Sequence, residues 1–289
     1  MGTHYTPGNK RRVDADPIEA RTPGSVSFLQ KLKPFVLASI LLIVGSLIAL
    51  AVVVIVGIPV TNTDALEHSG YYMELHDTTY DWESPYLSPE KNSFELHISQ
   101  EEYIASFDDD RVRLSTSLID CPTNMLDPGD PYVVQIADML LKMTEGMDEW
   151  TRATVALNLV QTIVDYTHDD VLYGVDDFWA TPLETLYLKK GDCEDTSILL
   201  CSIYLAMGMD AVLIDLPHHV AVGIYVEGVD GCLYCETVSS RPTEIDSYWP
   251  YWPQDEIVIC SPDDAEGFPE LVIGFLGSYR NFIQDVTGI

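Results

Sequence analysis

The sequence predicts an α+β fold, helices packed on an antiparallel sheet, with one apolar membrane-spanning helix at its N-terminal side. Three observations predict it. Segments with helical spacing of apolar residues fill residues 131–206, and most open on a capping residue or a proline. β-branched-rich runs with turn signals follow, from Ala211 to Val238. Ahead of both, Phe35 to Val60 carries no charge.

In chain order, residues 1–33 hold six Lys/Arg against three acids, rich in Gly, Pro, Asp and Arg without a period, which is the pattern of a disordered tail. The apolar run over 34–60 is relieved only by small residues and prolines such as Ser39, Gly45, Ser46, Gly57 and Pro59. At about 1.5 Å per residue it exceeds a hydrocarbon core of about 30 Å. It outruns the roughly 7–15-residue core of a secretory signal, and Ile58-Pro59-Val60 offers no small-residue cleavage site. The absence of charge argues against a buried core helix. Arg11, Arg12, Arg21, Lys31 and Lys33 precede the run, so the positive-inside rule places the N-terminus in the cytoplasm and the rest outside. The expected divisions are a cytoplasmic tail (1–33), a transmembrane helix (34–60), an extracytoplasmic linker and extension (61–130) and a main domain (131–289).

Formal net charge is −31, and residues 64–289 carry nine Lys/Arg against 43 acids. Such a domain does not bind nucleic acid by counterion release. Self-repulsion favours a soluble monomer. The acidity suits either a high-salt habitat or a cationic substrate.

Residues 61–130 read as irregular, with Tyr71, Tyr72, Tyr80, Trp82 and Tyr86 among acids, serines and prolines. Phe94 to Ile98 alternates like a strand, with His97 on the Glu95 face. Asp108-Asp109-Asp110 reads as a solvated acidic turn, because a calcium loop needs more widely spaced oxygens. Asp130 and Pro131 open a helix to about Met143, with Val133, Ile136, Ala137, Leu140 and Leu141 inward. Asp148 opens a longer helix, with Ala153, Ala156, Leu157, Val160, Ile163 and Val164 on one face and Gln161 on its polar flank. Thr181-Pro182-Leu183-Glu184 is a capping box that starts a short helix ending near Lys190.

The chemistry centres on Gly191-Asp192-Cys193-Glu194-Asp195. Asp192 is a good N-cap, Asp195 suits the first turn, and the apolar spacing runs on to Gly208. Cys193 thus stands at the first helical position, where free N–H groups and the dipole favour a thiolate. A strand beginning near His219 follows, then a hairpin turn at Gly228–Gly231, then a return strand from Cys232 to Val238 that carries Glu236. Cysteine, histidine and acid in this order match a triad in which histidine takes the thiol proton and the acid fixes the tautomer. His218 and His219 point oppositely on a strand, so one of them faces Cys193; the position before Val-Ala-Val-Gly favours His219. Gln161 is either a donor to an oxyanion, alongside the Cys193 N–H, or a surface glutamine.

On these residues the chain resembles the transglutaminase-like superfamily, a papain-like cysteine fold. Pro182–Leu186, Gly191–Asp195, His219–Gly223 and Tyr234-Cys235-Glu236-Thr237 carry the resemblance, which is strong over 148–240 and weaker over 80–147. It is most similar to archaeal, membrane-anchored transglutaminase-like proteins. The resemblance implies Cys193 as nucleophile, His219 as base and Glu236 as orienting acid, where the superfamily more often has Asp. It implies a thioester route on a protein or peptide substrate, with no cofactor and no metal, ending on water as in a peptidase or on an amine as in a transglutaminase.

Two other function classes fit the same residues. One is a non-catalytic extracellular binding module of the same fold, which would survive replacement of Cys193. The other is a zinc site on Cys232-Leu233-Tyr234-Cys235, with His218 and His219 as nearby ligands and no second Cys-x-x-Cys. Of Cys121, Cys193, Cys201, Cys232, Cys235 and Cys260, a free Cys193 leaves an odd number, and Cys193 and Cys201 are about two helical turns apart, too far to pair. Trp249, Tyr251 and Trp252 suit either a cleft wall or a cover for the sheet edge. Pro269 to Ile289 has helical spacing, interrupted by Gly274 and Gly277.

Overall fold

The computed structural model describes residues 62–108, 111, 113, 121–246 and 257–262. All lie in the compact unit Ile55–Ile289. The basic tail, the apolar run at 34–60, Asp109, Asp110, Trp249, Tyr251, Trp252 and the expected helix after Pro269 lie outside the described residues. Among the described residues, no helix is long and apolar enough to cross a membrane.

The segment before residue 130 is more ordered than its composition suggests. Helix α1 spans Asn62–Met73, and strands β1 (Thr79–Glu83) and β2 (Lys91–Glu95) form an antiparallel hairpin. Alternation turns Tyr80 and Trp82 inward, while Asp81 faces solvent. β2 stops at Glu95, short of the expected Ile98, yet Leu96 and Ile98 are still buried. His97 is exposed beside Glu95, its Nε2 3.6 Å from Oε2. Helix α2 (Gln100–Ser106) is closed by a Ser99–Glu102 capping box. Tyr80, Trp82, Leu96, Tyr103 and Phe107 join the same apolar core as the later helices. A buried ion pair reinforces the join: Arg113 Nη1 donates to Glu184 Oε2 at 2.6 Å, and Nη2 donates to the Ser106 carbonyl at 2.7 Å.

The later helices follow their caps. In α3 (Pro131–Met143) the Asp130 side chain accepts from the Tyr132 and Val133 N–H groups. In α4 (Glu149–Ile163) Asp148 accepts from the Thr151 N–H at 2.7 Å. Strand β3 (Asp165–Tyr166) and helix α5 (Asp169–Leu172) lead to α6 (Pro182–Leu188), which carries the Thr181–Glu184 capping box. Lys189 ends α6 in the left-handed region, φ 52°, and turns the chain into β4 (Lys190–Gly191), parallel to β3. Helix α7 (Cys193–Ala206) begins at once.

Helix α7 packs on α3, α4 and α6 and on strands β5 (Asp210–Leu216) and β6 (His219–Tyr225). Beyond its acidic first turn it is mostly apolar and buried on nearly every face because it is surrounded. The antiparallel sheet has the order β7-β6-β5-β8, with β7 at Leu233–Cys235 and β8 at Val258–Cys260. One sheet face meets α7; on the other, Ile214, Leu216, Ala221 and Tyr234 form a smaller cluster. Strand β8 has no counterpart in the sequence reading, and Cys260 within it is disulfide-bonded to Cys121.

Candidate active site

The nucleophile turn is built around Asp195. Its Oδ1 accepts from the Ala180 N–H at 2.8 Å and its Oδ2 from the Asp192 N–H at 3.3 Å. Gly191 permits this, since a Cβ there would stand 2.6 Å from Asp195 Cβ and 2.7 Å from Oδ2. The fold-back presents Cys193 as the first residue of α7, half-buried, where the helix offers its free N–H groups.

Histidine arrives from the sheet. Pro217 and His218 make the tight β5–β6 turn, with exposed His218 at φ 61° and His219 opposite Leu216. The Ser197 hydroxyl donates to the Val220 carbonyl at 3.0 Å and ties this strand start to α7. His219 Nε2 lies 3.2 Å from Glu236 Oε2. With Nε2 turned to Glu236, Nδ1 is the ring nitrogen left for the thiol, and Cys193 is near enough to favour a proton on the ring. Burial works against a charged ring, but the interactions with Cys193 and Glu236 outweigh it and raise His219 to about 10.

Glu236 sits one residue past β7. The Tyr234 hydroxyl donates to Oε2 at 2.9 Å and the Val238 N–H donates to Oε1 at 3.0 Å. Burial opposes its charge, yet His219 and these donors hold its carboxyl below the usual value. The next residue, Thr237, shares hydroxyl hydrogen bonds with Thr196 at 2.8 Å and Ser197 at 3.2 Å, which fastens the acid to the nucleophile helix.

Gln161 is placed differently from an oxyanion donor. It is 8% exposed, and its Nε2 donates to the Glu236 carbonyl at 2.7 Å and to Thr243 Oγ1 at 2.8 Å. Its Oε1 accepts from the Thr243 N–H at 3.0 Å. Both amide hydrogens are thus engaged in holding the strand that carries Glu236. The sequence offered Gln161 on a helix flank, and its partners Glu236 and Thr243 lie more than seventy residues away.

Three residues near the triad carried no signal of function in the sequence reading. Tyr166, half exposed on β3, lies close enough to Cys193 to feel its charge. Tyr234 belonged to the strand motif that carries Glu236, with no role of its own. Asp169 belongs to an acidic group under the Cys193 turn, together with Asp177, Asp192, Glu194 and Asp195. Burial, then the charge of Asp192, raises Asp169 to about 8. Burial pushes Glu194 and Asp195 well above the carboxylate range, and the Cys193 thiol donates to Glu194 Oε2 at 3.1 Å.

The other cysteines separate by face. Cys235 is buried near Tyr204 and Cys201 on the α7 side. Cys232 lies over Gly223 and meets Tyr225. The two sulfurs of the Cys-x-x-Cys therefore point to different surroundings, which removes the geometry a shared zinc ion needs.

No family profile and no curated protein matches the chain. Solved structures with a partial likeness include Legionella pneumophila LapG, 15% identical with a TM-score of 0.31, over 39% of this chain and 77% of that one. A calcium-bound form of the same protein is 16% identical with a TM-score of 0.27, over 44% and 81%. A structure described as a TGase is 11% identical with a TM-score of 0.34, over 60% of this chain and 47% of that one. At these TM-scores the likeness is loose, and the chemistry of the site is carried by its own residues.

Proposed function

We propose that this protein is a membrane-anchored, extracytoplasmic thiol acyl-transfer enzyme of the transglutaminase-like kind, acting on carboxamide or peptide bonds of a protein or peptide. The observation that carries the reading is the meeting of Cys193, at a helix N-terminus, with a His219 ring whose Nε2 is 3.2 Å from Glu236 Oε2.

The steps follow from the geometry. His219 Nδ1 takes the proton from the Cys193 sulfur, and the sulfur attacks the carbonyl carbon. Glu236 accepts from Nε2–H, keeping Nδ1 toward sulfur and stabilising the charged ring. The tetrahedral oxyanion is met by the Cys193 backbone N–H; a donor of this kind contributes about 3–4 kcal/mol. As the carbon–nitrogen bond breaks, the leaving amine takes the proton from His219 and a thioester remains on Cys193. Water or a second amine then attacks the thioester, His219 takes its proton, and the proton returns to sulfur. Gln161, Tyr234 and Thr237 hold Glu236 in place.

Incubation of the full chain with a peptide library, with and without an amine donor, tests this by mass spectrometry. Cleaved peptides mark hydrolysis, amine adducts mark transamidation, and Cys193→Ala gives neither. Unchanged products from Cys193→Ala would overturn the reading. The anchor rests on the uncharged run and its basic flank. Protease added to intact cells digests the acidic domain; digestion only after lysis would reverse the topology.

A further inference from the structure

Beside the nucleophile turn a short strand edge is left unpaired. Strand β3 runs parallel to β4, with Asp165 level with Lys190 and Tyr166 level with Gly191. The Asp165 N–H donates to the Lys189 carbonyl at 2.8 Å, and the Thr167 N–H donates to the Gly191 carbonyl at 2.9 Å. Backbone groups alternate sides along a strand, so the Tyr166 N–H and C=O point away from β4. Among the described residues, neither of them has a hydrogen-bond partner. The chain stays extended as far as His168, at φ −66° and ψ 151°, where α5 begins.

The same few residues carry exposed apolar surface. Tyr166 is 48% exposed and Val171 is 49% exposed. The Tyr166 and His168 rings meet edge to face, their centroids 5.0 Å apart. Tyr166 stands level with Gly191, two residues before Cys193, and lies close enough to Cys193 to feel its charge. Its cross-strand neighbour, a glycine, has no side chain to pack against the ring. The segment is held from beneath: Leu172 and Tyr173 are buried, and Asp169 Oδ2 accepts from the Phe178 N–H at 2.6 Å. An unpaired strand edge flanked by aromatic and aliphatic side chains is what an extended peptide adds to, its backbone giving affinity and its alternate side chains specificity.

Resting on the thiol reading above, we propose that the outer edge of β3 is the substrate ledge of this enzyme. An extended peptide pairs its backbone with the Tyr166 N–H and C=O. A bulky aliphatic or aromatic residue beside the reacting carbonyl lies against Tyr166, His168 and Val171. The substrate class is therefore an extended peptide with a large apolar side chain, since a small carboxamide has no second backbone unit to pair. Tyr166 sets specificity by touching the peptide; the bond-making stays with Cys193 and His219.

The full chain in detergent is treated with acetyl-tetrapeptide vinyl sulfones whose residue beside the warhead is Phe, Leu, Ala, Lys or Asp, and separately with iodoacetamide. Adducts on Cys193 are followed by intact mass. The Phe and Leu probes react about tenfold faster or more than the others, the effect of taking one large apolar side chain out of water. Tyr166→Ala slows the Phe and Leu probes by about tenfold and leaves iodoacetamide labelling within about twofold. Tyr166→Phe keeps the parental rates, because the ring and the backbone make the contact. N-methylation of one internal amide of the Phe probe slows the parental chain by about tenfold, since it removes the donor to the Tyr166 carbonyl; this arm carries the test if Tyr166→Ala folds poorly. Equal rates for all the probes, or parental probe rates in Tyr166→Ala, would overturn the ledge alone. A loss in Tyr166→Phe as large as in Tyr166→Ala would overturn it in favour of a hydroxyl acting on the reaction. A parent whose Cys193 takes up neither iodoacetamide nor any vinyl sulfone would overturn the thiol reading, and the ledge with it.

Discussion

Replacing Glu236 by Gln conserves shape and removes one charge, and the surroundings leave the amide no good orientation. Three donors converge on the carboxylate: His219 Nε2–H at 3.2 Å and the Tyr234 hydroxyl at 2.9 Å on Oε2, and the Val238 N–H at 3.0 Å on Oε1. An amide has one oxygen. If that oxygen faces His219, the NH2 opposes the Val238 N–H. If it faces Val238, the NH2 turns to the imidazole, which must then carry its proton on Nδ1, the nitrogen that serves Cys193. A hydrogen bond to a charged group contributes about 1.5–3 kcal/mol, a factor of roughly 10–150. A reversed tautomer in a triad can cost about 10⁴ in turnover. The assay is alkylation of Cys193 by iodoacetamide at pH 7, read by intact mass, with thermal unfolding in parallel. The expected result is labelling roughly 10–100-fold slower than the parent, with the fold kept and stability lower by about 1–3 kcal/mol for the unsatisfied donor. A Glu236→Gln chain that labels at the parental rate would show that Glu236 does not act on the imidazole.

Three further outcomes are expected. Gln161→Ala frees the Thr243 end of the acid strand and lowers stability by about 2–3 kcal/mol in urea unfolding, the sum of a few net hydrogen bonds; an unchanged midpoint would mean the strand holds itself. Arg113→Met leaves the buried Glu184 carboxylate without its cation and costs about 3–5 kcal/mol, whereas an exposed pair would cost under about 1. His219 binds its proton more tightly folded, at about 10, than unfolded, near 6.5, so its stabilisation is complete below about pH 6.5 and is lost as pH rises through 10. The unfolding free energy of the parent relative to His219→Gln therefore falls between pH 7 and 10, and a flat difference would contradict the paired ring.

The sequence shows α3, α4, α6 and α7 clearly because each begins on a local device: Asp130 with Pro131, Asp148, the Thr181–Glu184 box and Asp192. The strands β5 and β6 are legible from their β-branched runs and the turn between them. What stays hidden depends on distant partners. Tyr80 and Trp82 sit in an acid-rich stretch, and only the core supplied by α4 turns that stretch into a strand. Helix α1 contains Gly70 and adjacent tyrosines and has no clear apolar stripe. Strand β8 is three residues long and exists by pairing with β5. Within the site, Cys193, His219 and Glu236 are legible because their order is chemical. The roles of Gln161, Asp169 and Asp195 are not, since a helix-flank amide and first-turn acids look alike whether they face solvent or a neighbouring loop.

The Cys121–Cys260 bond joins residues 139 apart. Closing a loop of that length removes about 5 kcal/mol of chain entropy from the unfolded state in the usual loop-entropy treatment. It also makes a covalent ring that encloses every residue of the triad and every acid beneath it. A single cut in the exposed Glu227–Gly231 turn would then open the ring without dividing the protein. The nucleophile and the acid, on opposite sides of that cut, would remain one molecule, held by both the sheet and the disulfide, until a reductant was added. Wherever a protease reaches that turn, damage and loss become separate events.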